Sequence, residues 1–327
     1  MSFSTLSLRP EILGALADLG YHEPTEVQSQ VIPAALAGKN LIVQSNTGSG
    51  KTAAFCIPAL NSIDEKKRVP QILILEPTRE LASQTRDEVF NLSRHMRMGS
   101  IAVYGGSPIW KQKEGLKAGP QVIIATPGRL IDLIERGWIN LDAITTLVLD
   151  EVDQMMDMGF APAVTEIWEG LQNLKQVLAF SATYTPAITR LVDSHMKGET
   201  ESLILSKAVT VDSIDHVFMR VGIRDKYPVL KRILERFPED KVMIFTAKKH
   251  ETEELERYLY RDGHKAAYIH GDMQQRDRMR ALKDFKDGVV RIFIGTDVAA
   301  RGLNMNNINL VINYHVPHDP ESYIHRI

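Results

Sequence analysis

Eight residues, Ser45-Asn46-Thr47-Gly48-Ser49-Gly50-Lys51-Thr52, follow the apolar run LIVQ (41–44) and lead into the helix-like AAFCIPAL. A loop of this composition between strand and helix turns backbone N–H groups and a helix N-terminus toward a phosphate chain, with Lys51 reaching the β- and γ-phosphates and Thr52 ligating Mg2+. Ser45 stands where the general pattern has its first Gly. A second cluster, Asp150-Glu151-Val152-Asp153, closes the run LVLD (147–150), at the strand end where α/β sheets place ligands. There Asp150 suits Mg2+ held through its water shell, and Glu151 suits orienting or deprotonating an attacking water. Alone, each cluster also reads as an ordinary turn, Gly-rich or acidic. Together they describe hydrolysis of a nucleoside triphosphate.

Both clusters need strands to hold them. Short apolar runs alternate with helical segments at 41–44, 72–75 (ILIL), 101–104 (IAVY), 122–125 (VIIA), 147–150 and 177–180 (VLAF). Continuous apolar strands of this kind indicate a parallel sheet covered on both faces. A second series follows at 242–245 (VMIF), 266–269 (AAYI), 291–294 (RIFI) and 310–313 (LVIN). The expected fold is therefore α/β, two domains of mainly parallel sheet flanked by helices, spanning 1–205 and 215–327 with a linker at 206–214. The opening helix is expected to be capped by Ser7, with Pro10 in its first turn, Leu8, Ile12, Leu13, Leu16 and Leu19 on one face, and Gly20 at its end. KHETEELERYLYRDG reads as a helix with a solvated charged face, and EKKR (65–68) as an exposed loop.

Composition is that of an ordinary globular protein, 44% hydrophobic and 24% charged. No apolar run has the length of a membrane span, and MSFSTLSLRP resembles no secretion signal, so a cytoplasmic protein is expected. The single cysteine, Cys56, reads as a core residue. Residues 1–205 carry 18 Lys and Arg against 23 Asp and Glu, and residues 206–327 carry 21 against 18. Contacts to a polyanion must then come from local placement of Arg, Lys and backbone N–H groups.

The motifs in their order resemble the DEAD-box RNA helicases over nearly the whole chain. Phe3 and Gly20-Tyr21 through Gln28 (GYHEPTEVQ) are similar to that family's Q motif, which implies an aromatic ring on adenine, Gln28 reading its edge, and ATP as the nucleotide. Residues 45–52 and Asp150–Asp153 resemble its motifs I and II, and Ser181-Ala182-Thr183 the motif that couples hydrolysis to RNA binding. Pro77-Thr78-Arg79, Gly105-Gly106 and Thr126-Pro127-Gly128-Arg129 resemble its RNA-contacting turns. In the second domain Thr246, His270-Gly271 with Gln275 and Arg278, and Thr296-Asp297 through Leu303 resemble the remainder, Asp297 on the ATP side. The resemblance implies two RecA-like domains forming a cleft, ATP and Mg2+ on the first and RNA across both. The partner is RNA of little sequence preference, told from DNA by its 2′-OH groups. A monomer with no membrane contact is expected.

Three departures accompany the resemblance. Val152 replaces the family's Ala, leaving the carboxylates intact but adding bulk beside Ser181. Asn304 replaces an Asp, at an interdomain or ATP-state contact. His325-Arg326-Ile327 matches the start of a final motif that the family continues with Gly-Arg-Thr-Gly-Arg. On that ground slow hydrolysis by this chain and a less ordered second half are expected, with an ATP-gated RNA clamp as the alternative reading. A DNA helicase of a neighbouring P-loop family is disfavoured by GYHEPTEVQ and TPGR.

Overall fold

In a computed structural model, residues 2–45, 48–196, 198–205, 214–297, 308–317, 322–323 and 326 are described. The chain divides into two compact units, Met1–Lys207 and Ala208–Ile327. Of the linker expected at 206–214, residues 206–213 lie outside the described residues.

Unit 1 opens with a 3-10 turn (Phe3–Thr5), α1 (Pro10–Asp18), α2 (Glu26–Leu36), β1 (Asn40–Gln44) and α3 (Lys51–Asn61). Next come β2 (Ile72–Leu75), α4 (Arg79–Leu92), β3 (Ser100–Val103), α5 (Ile109–Lys117), β4 (Val122–Ala125) and α6 (Pro127–Glu135). It closes with β5 (Thr146–Leu149), α7 (Val152–Asp157), α8 (Ala161–Glu169), β6 (Gln176–Ser181), α9 (Pro186–His195) and β7 (Thr200–Ile204). The seven strands form one parallel sheet in the order β3-β4-β2-β5-β6-β1-β7. β2, β4 and β5 are buried along their whole length because helices cover both faces, which is why they read as unbroken apolar runs. Two cores result: Phe55, Ile57 and Phe180 lie in one, and Leu73, Leu147 and Trp168 in the other.

The sequence reading missed β7. Its residues TESLI alternate between exposed and half-buried at the sheet edge, so no apolar run marks it. Ser7 does not cap α1. Pro10 occupies the first helical position and disfavours helical backbone at Arg9, which is the extended N-cap and donates its N–H to Asn61 Oδ1 at 2.8 Å. Cys56 is 1% exposed, and the 66–68 stretch is an exposed loop.

Unit 2 contains a second 3-10 turn (Ile223–Asp225), α10 (Lys226–Arg236), β8 (Val242–Thr246), α11 (Lys249–Arg261), β9 (Ala266–Ile269), α12 (Gln275–Lys286), β10 (Ile292–Thr296) and β11 (Leu310–Asn313). Its strands are parallel in the order β11-β8-β10-β9. α11 buries Thr252, Leu255 and Leu259 and turns its charges outward. Among the described residues no helix is long and apolar enough to cross a membrane.

Candidate active site

The loop after β1 turns on glycines in left-handed backbone, which L side chains rarely adopt. Gly48 and Gly50 have φ of +80° and +91°, and a Cβ on Gly50 would stand 2.7 Å from Gln28 Nε2. Ser45 is buried, donates its N–H to Ser181 O on β6, and shares a 2.7 Å hydrogen bond with the Ser49 hydroxyl. Lys51 and Thr52 are the first residues of α3, with Gly50 as N-cap. Asn46 and Thr47, expected at the phosphates, lie outside the described residues.

β6 alone separates β1 from β5, so Lys51 and the Asp150 cluster meet at one corner of the sheet. Lys51 Nζ donates to Glu151 Oε1 at 2.8 Å, with both side chains almost fully buried. Burial pulls the ammonium toward losing its proton, but Glu151, Asp150 and Asp153 outweigh it and hold the charge firmly in place. Asp150 accepts from the Glu151 N–H at 3.0 Å. Burial pushes its carboxyl up to about 7, with Lys51 opposing and Glu151 adding to the rise. Glu151 holds left-handed backbone at φ 50°, the one non-glycine among the described residues with positive φ. Such strain persists where the surroundings over-determine it, and here Glu151 is fixed by the buried pair with Lys51.

Ser181 and Thr183 join this corner through Asp153, which the sequence reading left out of the site. One Asp153 oxygen, Oδ2, accepts from the N–H groups of Ala182 and Thr183, at 3.0 and 2.8 Å, and from the Thr183 hydroxyl at 3.1 Å. Ser181 Oγ accepts from the Asp153 N–H and donates to Thr183 O at 2.6 Å. The start of α7 is thus bound to the turn after β6. Val152 is fully buried in the core beneath it.

Glu76 was also missed, though a charged residue ending the ILIL strand was a visible signal. It is fully buried beside β5, and its Oε1 accepts from Thr85 Oγ1 at 2.5 Å. Its Oε2 has no partner among the described residues. Burial first, then Asp150, raise its carboxyl well above the usual range.

Of the residues expected at adenine, Phe3 is 4% exposed, its ring packed in the core. Tyr21 is half-buried and donates its hydroxyl to Glu88, and burial raises that hydroxyl to about 12. Gln28 closes a capping box with Thr25, Oε1 accepting from Thr25 N–H at 3.0 Å, while Nε2 donates to Gly50 O at 3.3 Å. Thr25 Oγ1 donates to Ser49 O at 2.9 Å. The start of α2 therefore straps the phosphate loop from outside.

Sheet order groups the turns expected at RNA on one side of the carboxyl edge of unit 1. Pro77-Thr78-Arg79 follows β2, Gly105-Gly106 follows β3 and Thr126–Arg129 follows β4, and these three strands are neighbours. Thr78 caps α4 by accepting from the Leu81 N–H, and Pro127 starts α6. The Arg79 guanidinium lies against Gly106, where φ is +79° and a Cβ would stand 2.0 Å from Nη1. Arg129 donates to Ser107 O and Gln112 Oε1, at 3.3 and 3.1 Å. Gly128 is exposed.

In unit 2, Thr246 ends β8, His270-Gly271 follows β9, and Thr296-Asp297 ends and follows β10, all at one sheet edge; Gln275 and Arg278 lie on α12. His270 pairs with Glu253 at 3.0 Å and stacks on Tyr268. Asp297, expected near ATP, has both oxygens engaged by Arg326, one of them at 2.6 Å. Arg326 also donates to Asn313 Oδ1 and His315 O, and lies over the Phe245 ring. In this structure the pair is a tether. Val298 through Asn304, with His325 and Ile327, lie outside the described residues.

A glycine-cradled loop whose lysine meets an acidic strand end across one intervening strand defines a P-loop nucleotide-binding α/β protein. The profile of the DEAD/DEAH box helicase family matches residues 25–191, and that of the helicase conserved C-terminal domain matches 225–327. The chain belongs to the DEAD/DEAH box helicase family. It is 40% identical to the DEAD-box ATP-dependent RNA helicase CshA of Streptococcus pneumoniae, over 100% of this chain and 62% of that protein. It is 43% identical to the ATP-dependent RNA helicase DeaD of Klebsiella pneumoniae, over 100% of this chain and 51% of that protein. It thus spans about half to three fifths of these relatives. S. cerevisiae Dbp5 bound to RNA and ADP BeF3 matches with a TM-score of 0.89 at 30% identity, over 99% of this chain and 85% of that one. A DEAD box protein from Methanococcus jannaschii matches with a TM-score of 0.62 at 38% identity, over 100% and 88%. Both units are RecA-like α/β domains.

Proposed function

We propose that this chain is the motor core of an RNA-dependent ATPase that couples ATP hydrolysis to local separation of RNA strands. The observation that carries this reading is the buried 2.8 Å contact between Lys51 and Glu151, set among surplus carboxyl groups and a strained Glu151 backbone. In the resting corner the two groups silence each other. When the phosphates of ATP enter over Gly48, Ser49 and Gly50, Lys51 turns to them, and Glu151 is freed to take a proton from the attacking water.

The corner fits a divalent cation, because Glu76, Asp150, Glu151 and Asp153 act on one another around the Lys51 ammonium. No group of three or more His, Cys, Asp or Glu among the described residues is disposed to hold a metal ion by itself. Mg2+ is held by one or two carboxylates together with substrate phosphates and waters. Thr52 and Asp150 are the residues that would hold it, and bound there it would neutralise charge on the phosphate oxygens.

Tyr21 offers its ring to adenine. Gln28 has a second amide hydrogen and a second lone pair for the base edge beyond the bonds that strap the loop. Asp153, Ser181 and Thr183 carry the change at the phosphates into the sheet, toward the turns after β2, β3 and β4 where RNA phosphates and sugars are bound. Thr246, Gly271, Gln275, Arg278 and Thr296 give unit 2 its own RNA-facing set.

The test is phosphate release with and without single-stranded RNA, in wild type and Glu151→Gln. RNA should stimulate the wild type. The variant should keep ATP binding and lose turnover by about 10²- to 10⁴-fold, the usual worth of a positioned general base. Undiminished phosphate release in the variant removes Glu151 from the mechanism. ATPase activity indifferent to RNA removes the motor reading.

A further inference from the structure

Unit 1 carries a basic, aromatic surface that the turns described above leave unused. Between the Gly105-Gly106 turn and α5 stand only Ser107 and Pro108, and the second residue of α5, Trp110, is 62% exposed. Indole rings are buried on average to a much greater extent. Lys111 Nζ lies 5.5 Å from the centre of the Trp110 ring. Two residues on, Lys113 Nζ lies 4.2 Å over the ring of Trp138, which also has Arg136 Cζ at 5.3 Å. Of the neighbouring acids, Glu114 pairs with Lys117 at 2.7 Å and Asp132 with Arg136 at 2.6 Å, while Glu135 is exposed beside Arg136. α5 holds three lysines against one glutamate, in a half of the chain where acids outnumber bases.

This surface is fixed to the turns assigned to RNA. Gln112, 5% exposed, donates to Tyr104 O at 2.9 Å and accepts from Arg129 at 3.1 Å, joining α5 to the Gly105-Gly106 turn and to Thr126–Arg129. Cations beside aromatic rings, one of them open to solvent, fit a single nucleic-acid strand. A ring stacks on any base, and ammonium groups answer the flanking phosphates. A protein-docking core would instead be depleted of lysine.

We propose that Trp110, Lys111 and Lys113 extend the RNA path past the Gly105-Gly106 and Thr126–Arg129 turns, with Trp110 stacking on an unpaired base and the lysines meeting adjacent phosphates. The proposal rests on the RNA reading above. It gives unit 1 a contact that holds bases through their faces, without reading sequence.

The experiment titrates the whole chain with oligouridylate while following tryptophan fluorescence. The chain has three tryptophans, and Trp168 is buried. Quenching is expected in wild type and mostly lost in Trp110→Phe, which keeps an aromatic face and an affinity within about twofold. Trp110→Ala should bind about fivefold or more weakly. Replacing Lys111 and Lys113 together by Gln should make the slope of log affinity against log salt shallower by about 1.4. Circular dichroism checks that α5 remains folded. If wild type binds while Trp110→Ala and the double lysine variant match its affinity and salt slope, the proposal is overturned and the face is left to a protein partner. If wild type binds no oligouridylate, the RNA reading falls and this proposal with it.

Discussion

At the carboxyl edge of each sheet a carboxylate meets a cation, and the two pairs are built to opposite ends. In unit 1, Lys51 and Glu151 are 5% and 6% exposed, and Asp150, Asp153 and Glu76 press on the same corner. In unit 2, Arg326 is 2% exposed, but its partner Asp297 is 29% exposed and is held in a two-pronged, charge-balanced grip. Asn313 and His315 O fill further donors of that guanidinium. The first corner has more negative charge than its lysine can answer and is suited to admitting a cation and moving a proton. The second is closed, and ties the residue after β10 to the segment after β11. A buried ion pair by itself therefore marks nothing. Surplus charge around it is what singles out the corner proposed to react.

The most forceful way to break this contrast is Lys51→Ala. Removing one partner of a fully buried pair leaves Glu151 unanswered among other acids, and such losses cost about 3–5 kcal/mol. Denaturant titration should show that loss. Nucleotide titration should show ATP affinity falling with it, since Lys51 is the phosphate ligand in the proposed function. Stability within about 1 kcal/mol of wild type, closer to the ordinary size of surface effects, would mean the acids are not under the strain argued here.

The surplus should also make stability depend on pH, by an amount on the order of a few kcal/mol, since a tenfold change in proton affinity is worth about 1.4 kcal/mol. Asp150 binds its proton more tightly in the folded unit, rising from 3.8 to about 7 because burial disfavours its charge. Across that window the folded chain holds a proton that the unfolded chain has released, so stability falls as pH rises from about 4 toward 7. Mg2+ with nucleotide favours the ionised carboxylate and should flatten the fall. Hydrogen exchange at Val148 and Leu149, followed across this range with and without Mg2+-nucleotide, reads the effect at β5. A slope of opposite sign in the free protein would show that Asp150 is ionised throughout.

In unit 2, Arg326→Ala should cost less, about 1.5–3 kcal/mol, the range for hydrogen bonds to charged groups. Asp297 is part-exposed and can hydrate once released. Exchange at Ile294 and Ile312 should quicken while Leu149 in unit 1 stays unchanged. An equal loss in Lys51→Ala and Arg326→Ala would erase the distinction between the two corners.

What the sequence made legible follows the same physics. Strands buried on both faces, such as ILIL and VIIA, announced themselves, whereas TESLI of β7 at the sheet edge could not. Lys51 stood out because phosphate chemistry calls for a lysine where a Gly-rich loop enters a helix, and Asp150 and Glu151 because water and cation chemistry calls for carboxylates at a strand end. Asp153 was not legible, since its role rests on Ala182 and Thr183 far along the chain, and Glu76, though visible as a charge ending ILIL, acts on Asp150, which is also distant in sequence. Phe3 matched a pattern, but its depth in the core depends on packing that no local spacing records.

Gln28 supplies the smallest and most discriminating test. Read from sequence, it serves adenine alone, and Gln28→Ala should weaken ATP while leaving GTP and UTP untouched. The structure adds a second duty, because the same amide caps α2 through Thr25 and holds Gly50 O of the phosphate loop. Losing a cap of this kind costs about 1 kcal/mol, and a loosened loop presents its N–H groups less well to the phosphates of any nucleotide. Gln28→Ala is therefore expected to lower stability by about 1 kcal/mol and to weaken all three triphosphates, ATP somewhat more than the others. Calorimetric titration of ATP, GTP and UTP into both proteins, with a denaturation curve for each, separates the duties. A variant of wild-type stability that loses ATP alone would show that the strap to Gly50 contributes nothing. One that loses all three equally would show that Gln28 does not read the base.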